Sequence, residues 1–168
     1  MNKKINTVLF LLLITNFVSS KNSDLKLHTI NATLDTLHLA ASKADSKTYF
    51  DLFTDNAYFI GTDVSEYWNI NDFKVFAKPY FDKGQGWTYV TRSRQVELNE
   101  SENVAWFHEI LDNQSYGTTR GTGVLILVNN QWKISQYHLT IPIPNEMAKE
   151  ITAKIKTHMS NKTKVSQN

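Results

Sequence analysis

Three ionisable side chains fall inside segments that otherwise read as β-strand: Glu109 within residues 104–111, Arg120 within 119–128, and His138 near the end of 132–140. A charged group in mid-strand needs solvent, an opposite charge or a ligand, because burying it uncompensated is strongly unfavourable. A glutamate beside a histidine supplies general acid–base chemistry, and an arginine offers planar donors that match a carboxylate or phosphate. Strand register decides which of the three can meet.

Asn129-Asn130 suits a two-residue hairpin turn, since asparagine tolerates positive φ. That turn pairs Val128 with Gln131, Gly123 with Gln136 and Gly121 with His138. If the wider loop at 113–117 sets Asp112 opposite Thr118, Glu109 pairs with Gly121. Glu109, Gly121 and His138 then form one row on one sheet face, with Ala105, Phe107, Leu125, Leu127, Trp132 and Ile134 along it. Arg120 falls on the other face beside Ile110 and Leu139, while a one-residue slip at the loop would bring Glu109 to that face instead.

Each candidate has a plainer reading. Glu109 can be a rim carboxylate or the partner of a lysine, and His138 a satisfied core histidine. The functional alternative makes Glu109 a partly desolvated acid of raised pKa, serving as general base or ligand acceptor, with His138 or Tyr58 stabilising a developing oxyanion. Arg120 either binds an anionic ligand or pairs with an acid at a dimer interface. Tyr58, Trp87, Phe107 and Tyr137 are core or rim aromatics that can also line a pocket. Asp63, in a Gly-Thr-Asp turn, is expected to bond its own backbone.

The five histidines, at 28, 38, 108, 138 and 158, show no metal-binding spacing, and neither metal nor cofactor is predicted. There is no cysteine, so neither a disulfide nor a thiolate metal site is available. Residues 1–20, with Lys3-Lys4, the apolar run 8–14 and Ser19-Ser20, read as a signal peptide cut after Ser20. That run is shorter than a membrane span, so no stable anchor is expected after cleavage and the product is periplasmic or secreted. Eighteen Lys plus Arg stand against sixteen Asp plus Glu. Loss of the leader removes two lysines and leaves a net charge of zero, which argues against nucleic acid as a partner.

The elements that must hold these residues follow from periodicity. Leu27, Ile30, Leu34, Leu37 and Ala41 recur at helical spacing, and a second short helix fits 46–53 with Asp45 or Ser46 as its cap. Residues 57–60 read as a strand and 69–81 as a helix shortened or kinked by Pro79. Strands are then expected at 87–98, 104–112, 118–128 and 131–140. Pro142 and Pro144 end the last of them, an amphipathic helix covers 145–159, and the final residues read as a disordered tail. Helices first and a strand meander second predict an α+β domain whose curved antiparallel sheet wraps the helices and leaves a cavity.

This order, with Phe59-Ile-Gly-Thr-Asp63, Lys78-Pro-Tyr-Phe81, Gly86-Trp87, Ala105-Trp-Phe-His-Glu109, Tyr116-Gly117, Arg120-Gly-Thr-Gly-Val124 and Trp132-Lys-Ile-Ser-Gln-Tyr137 followed by Pro142-Ile-Pro-Asn145, resembles the SnoaL-like family of the nuclear-transport-factor-two-like superfamily. The resemblance spans roughly residues 30 to 148. It implies a cone-shaped α+β fold, with the domain at 21–145 and a C-terminal helix and tail at 146–168. Because that superfamily includes cyclases, isomerases, dehydratases, association domains and plain binders, fold does not assign function. The expectation is an exported domain that binds an unknown small, partly apolar molecule in its cone. It is also expected to form a homodimer through an outer face carrying Trp106, Ile110, Val124, Ile126 and Leu139. The alternatives are a cofactor-independent isomerase, cyclase or hydrolase using Glu109 as base, and an association module.

Overall fold

The computed structural model describes the backbone of residues 3–165 and the side chains of 23–162. The leader expected over 1–20 lies outside the residues whose side chains are described. The chain runs α1 (Lys3–Ser42), α2 (Ser46–Asp51), β1 (Phe53–Ile60), β2 (Tyr67–Asn69), α3 (Ile70–Phe81), β3 (Val90–Leu98), β4 (Val104–Asn113), β5 (Gly117–Val128), β6 (Gln131–Thr140) and α4 (Asn145–Val165). No helix among the described residues is long and apolar enough to cross a membrane.

Local signals explain the element boundaries. Asp45 caps α2 by accepting the Thr48 N–H at 3.0 Å, and Asn69 caps α3 by accepting from Asn71 and Asp72. Pro79 sits inside the last turn of α3, where its missing N–H forfeits one bond and the helix still reaches Phe81. The β5–β6 turn places Asn129 at φ 49° and Asn130 at φ 60°, as expected of this hairpin type. Helix α4 extends to Val165, through most of the stretch read as tail.

The six strands form one sheet in the order β2-β1-β6-β5-β4-β3. It is mixed rather than wholly antiparallel, because β1 pairs with β6 in parallel. No hairpin joins those two strands, so nothing in the connection forces them to run oppositely. Short β2 completes the far edge against β1. Helix α1 lays Ile30, Leu34, Leu37, Ala40 and Ala41 onto the concave face, while α2 and α3 add Tyr49, Phe50, Phe73 and Ala77 to the same core. The core is rich in aromatic rings, with Phe59 and Phe73 stacked at 3.9 Å between centroids.

Two β-bulges set which side chains enter that core. In β3, Thr91 faces Leu111 but Ser93 faces Ile110, so Arg92 is the extra residue; Arg94, between that bulge and the β3–β4 turn, lies opposite Glu109 in the register that starts at Leu98 and Ala105. In β6, Leu125 faces Ile134 and Val124 faces Gln136, so Ser135 is the extra residue. Inward positions along β6 therefore change parity, from Trp132 and Ile134 before the bulge to Tyr137 and Leu139 after it.

Candidate functional site

Glu109 is fully buried at the centre of the concave face. It pairs with Gly121 as the register predicts, and Asp112 pairs with Thr118. The absent side chain at Gly121 is what gives the carboxylate room: a Cβ there would lie 2.3 Å from the Tyr137 hydroxyl and 3.0 Å from Glu109 Cγ.

Three groups from three different elements converge on this carboxylate. Arg94 Nε donates to Oε2 at 2.8 Å, the Tyr137 hydroxyl donates to Oε1 at 2.8 Å, and His38 Nε2 lies 2.8 Å from the same Oε1. An ionised carboxylate only accepts, so Nε2 of His38 carries a hydrogen, and in the neutral ring Nδ1 keeps the lone pair. Arg94 is itself held by Asp35 at 2.8 Å and by Asn31 of α1 at 3.3 Å. The network bolts α1 to β3, β4 and β6. No buried side-chain nitrogen or oxygen among the described residues lacks a partner.

Electrostatics follow from that geometry. Burial pushes the Glu109 pKa up, but the hydrogen bond and charge of His38, followed by those of Arg94, outweigh it and hold the carboxyl below its ordinary value. Burial and the Glu109 charge raise Tyr137 well above the usual phenol range, so it remains a donor. Arg94 keeps its charge: Glu109 and Asp35 overcome the opposing effect of its burial and raise its pKa.

Two neighbouring spaces lie on this side of the sheet. The larger, about 210 Å³, is walled mainly by rings, among them Phe59, Trp68, Phe76, Trp87 and Tyr89, and Glu66 is at its edge. The smaller, about 20 Å³, is bounded by His38 and Tyr137 and shares Phe59, Trp87, Tyr89 and Leu139 with the larger. It has room for a single water. His38 and Tyr137 therefore stand at the inner end of an aromatic cone, with Glu109 directly behind them.

The expected site is partly redrawn by this arrangement. His138 does not join Glu109: the bulge at Ser135 sets it opposite Thr122 on the outer face, where it lines a groove with Ile60, Tyr67 and Met147. Tyr137 takes the inward place. Glu109 touches neither space in the cone, and its pKa is lowered rather than raised. Of the aromatic candidates, Trp87 lines both spaces and Tyr137 the inner one. Phe107 is buried against Tyr137, with ring centres 5.8 Å apart, as part of the core.

Tyr58 points outward and stacks on Tyr67 at 5.1 Å, because its neighbours Ala57 and Phe59 are the inward residues of β1. Arg120 is also exposed on the outer face, opposite Ile110, as the register predicts, so it binds nothing in the cone. Leu139 belongs to the inner face and leaves the outer apolar patch. Asp63 accepts from the backbone and hydroxyl of Ser65, as expected for a turn aspartate.

Sequence reasoning missed His38 and Arg94. His38 lies 71 positions from Glu109, on a helix read only for its apolar stripe, and Arg94 turns inward from a stretch of β3 whose residues 91–95 are all polar and mark no inner face. Among the described residues no group of three potential metal ligands converges.

Comparison with known proteins places this architecture. The model of the SnoaL-like domain matches residues 30–144. No curated protein matches the chain. Among solved structures, a protein of unknown function from Mycobacterium tuberculosis superposes with a TM-score of 0.61 at 14% identity, over 76% of this chain and 78% of that one. An NTF2-like protein of unknown function from Pseudomonas putida gives 0.57 at 12% identity, over 70% and 87%. A protein with a cystatin-like fold from Nostoc punctiforme gives 0.55 at 11%, over 68% and 89%. At these identities the likeness is one of fold alone. With the family model covering most of the chain and the helices, sheet and cone all in place, the chain belongs to the SnoaL-like domain family.

Proposed function

We propose that the protein is exported and binds a small, partly apolar molecule in its cone. The observation that carries this reading is the aromatic-walled space of about 210 Å³, which leads toward His38 and Tyr137. Rings supply apolar area with little rotamer entropy to lose, and a few polar groups at the inner end orient what enters. Thermal melts with a panel of small apolar compounds test it, run beside Thr62→Trp, which places an indole at the edge of the space. Compounds should raise the melting temperature of the parent protein and not that of the variant. Equal shifts in both, or none in either, would sink the proposal.

A second reading is favoured by one observation, the fixing of His38 Nε2 on a buried, ionised Glu109 beside the inner space. In an isomerase, cyclase or hydrolase built this way, His38 would move the proton and Glu109 would position it, so His38→Asn would abolish turnover while leaving binding intact. The outer sheet face supports a homodimer in the same proposal. It holds Trp106 at 48% exposure with Ile110, Val124 and Ile126 half-buried beside it. Light scattering that finds a strict monomer at high concentration would remove that part.

A further inference from the structure

Among the described residues, Glu66 is the one acidic side chain bordering the larger space, and no lysine, arginine or histidine borders it. It ends the loop between β1 and β2, which closes on itself through Gly61 N–H to the Glu66 carbonyl at 2.8 Å and Glu66 N–H to the Asp63 carbonyl at 2.9 Å. The carboxylate folds back over Gly61. A Cβ at position 61 would lie 2.1 Å from Glu66 Oε2, so glycine there keeps the acid in place.

The charge is left without a cation. Among the described residues Glu66 forms no ion pair, and the Asp63 backbone N–H, at 3.1 Å, is its one hydrogen-bond donor. His158 and Lys162 of α4 act on Asp63, whose carboxyl is held low first by the Ser65 hydrogen bonds and then by those two charges. What does surround Glu66 across the space is aromatic. Trp68 and Phe76 stack at 4.8 Å, and Trp87, Tyr89 and Tyr116 complete that wall. Tyr89 and Tyr116 line the same space as Glu66, and the Tyr89 pKa is pushed up to about 12 by burial first, then by Tyr116 and Glu66.

The charge of the occupant follows from this pairing. An anion would be repelled by Glu66 and by the negative ring faces. A neutral apolar occupant would strip water from the carboxylate and return nothing for it. A cation answers both, because it neutralises the acid and is drawn to the rings. A primary ammonium would lose hydration that one carboxylate replaces poorly. An alkylated ammonium is weakly hydrated and presents methyl groups that rings accept.

We propose that the cone takes a small organic cation, a methylated or otherwise alkylated ammonium with a short apolar arm, whose positive group lies between the Glu66 carboxylate and the rings of Trp68, Phe76, Tyr89 and Tyr116. This rests on the reading of the cone as a binding site and narrows the ligand class.

The test is calorimetric titration of the purified protein at low salt with choline and with its uncharged carbon isostere, 3,3-dimethylbutan-1-ol. Choline should bind roughly tenfold more tightly than the alcohol. In Glu66→Gln that preference should shrink severalfold, with choline weakened and the alcohol, relieved of part of the desolvation cost, binding no more weakly than to the parent. Should Glu66→Gln fail to fold, Glu66→Asp keeps the charge but withdraws it, and choline alone should weaken. Equal affinities for the two probes would overturn the cation inference while leaving the cone as a binding site. The cation inference is likewise overturned if neither probe binds but the apolar panel still stabilises the protein. If neither the probes nor the panel binds, both readings fall together.

Discussion

Replacing Arg94 with methionine isolates what the buried carboxylate costs when its cation is gone. Methionine keeps most of the arginine stem, so the packing against α1 is retained and the loss is electrostatic. The exposed Asp35 partner, at 67%, contributes little through screening, so the magnitude rests on Glu109 at 0% exposure. Without Arg94, Oε2 has no donor, while His38 and Tyr137 still serve Oε1. Breaking a buried pair in this way costs about 3–5 kcal/mol. Glu109 can limit the loss by taking a proton. Moving a carboxyl from its ordinary 4.5 to protonated at pH 7 costs about 3.4 kcal/mol, so the destabilisation at neutral pH should be about 3 kcal/mol.

The pH dependence gives this prediction its sign. In the parent protein the folded-state pKa of Glu109 is depressed, so its contribution is present above the unfolded value of 4.5 and is lost as pH falls through the folded pKa. In Arg94→Met the charge and hydrogen bond of Arg94 no longer oppose burial, so the folded pKa lies above that of the parent. The gap between the two proteins therefore narrows as pH falls through the variant's folded pKa. Urea unfolding followed by tryptophan fluorescence at pH 7 and pH 4 should show that narrowing. A gap below about 1 kcal/mol at pH 7, or one that is the same at both pH values, would refute the assignment of Glu109 as a buried, Arg94-neutralised anion.

Two further substitutions probe the same architecture. Gly121→Ala drives a methyl into the Tyr137 hydroxyl and should lower the urea midpoint by the equivalent of roughly 1–3 kcal/mol, whereas an unchanged midpoint would mean that the close approach at Gly121 does not constrain the network. Deleting Ser135 removes the extra residue of β6 and leaves plain alternation, with Ile134 in, Gln136 out and Tyr137 and Leu139 still in. Near-ultraviolet circular dichroism should therefore keep its aromatic signal, and its loss in the deletion variant would show that the bulge itself, beyond the order of inward residues, is needed.

Much of the scaffold was legible because it rests on local rules. The stripe from Ile30 to Ala41, the Asp45 cap, the Asn129-Asn130 turn and the Glu109–Gly121 pairing all follow from periodicity or turn chemistry, and all occur. The partners of Glu109 were less accessible. Register counted from the hairpin holds as far as Leu125 and Ile134, and then the extra Ser135 exchanges His138 for Tyr137. A signal was present: Trp132-Lys-Ile-Ser-Gln-Tyr-His-Leu139 places two polar residues between Ile134 and Tyr137, and such broken alternation marks a bulge. The bulge at Arg92 leaves no comparable trace, since residues 91–95 are all polar. His38 was hidden for another reason, because its link to Glu109 exists only once α1 lies across the sheet.

The hairpin register and the Ser135 bulge together fix what kind of site this can be. Counted from the β3–β4 turn, where Leu98 faces Ala105, Arg94 falls opposite Glu109 before the Arg92 bulge is reached, so the hairpin itself delivers the cation. Without the bulge at Ser135, His138 would replace the Tyr137 hydroxyl. With Arg94 opposite it and Tyr137 turned inward, Glu109 is neutralised, hydrogen-bonded on both oxygens and walled off from the cone. Its role is then to orient: it holds His38 and Tyr137 at the inner end of an aromatic space and joins the helix to the sheet. His38 and Tyr137 are the titratable groups that touch both the carboxylate and the inner space, and Tyr137, raised well above the usual phenol range by burial, is kept there as a donor.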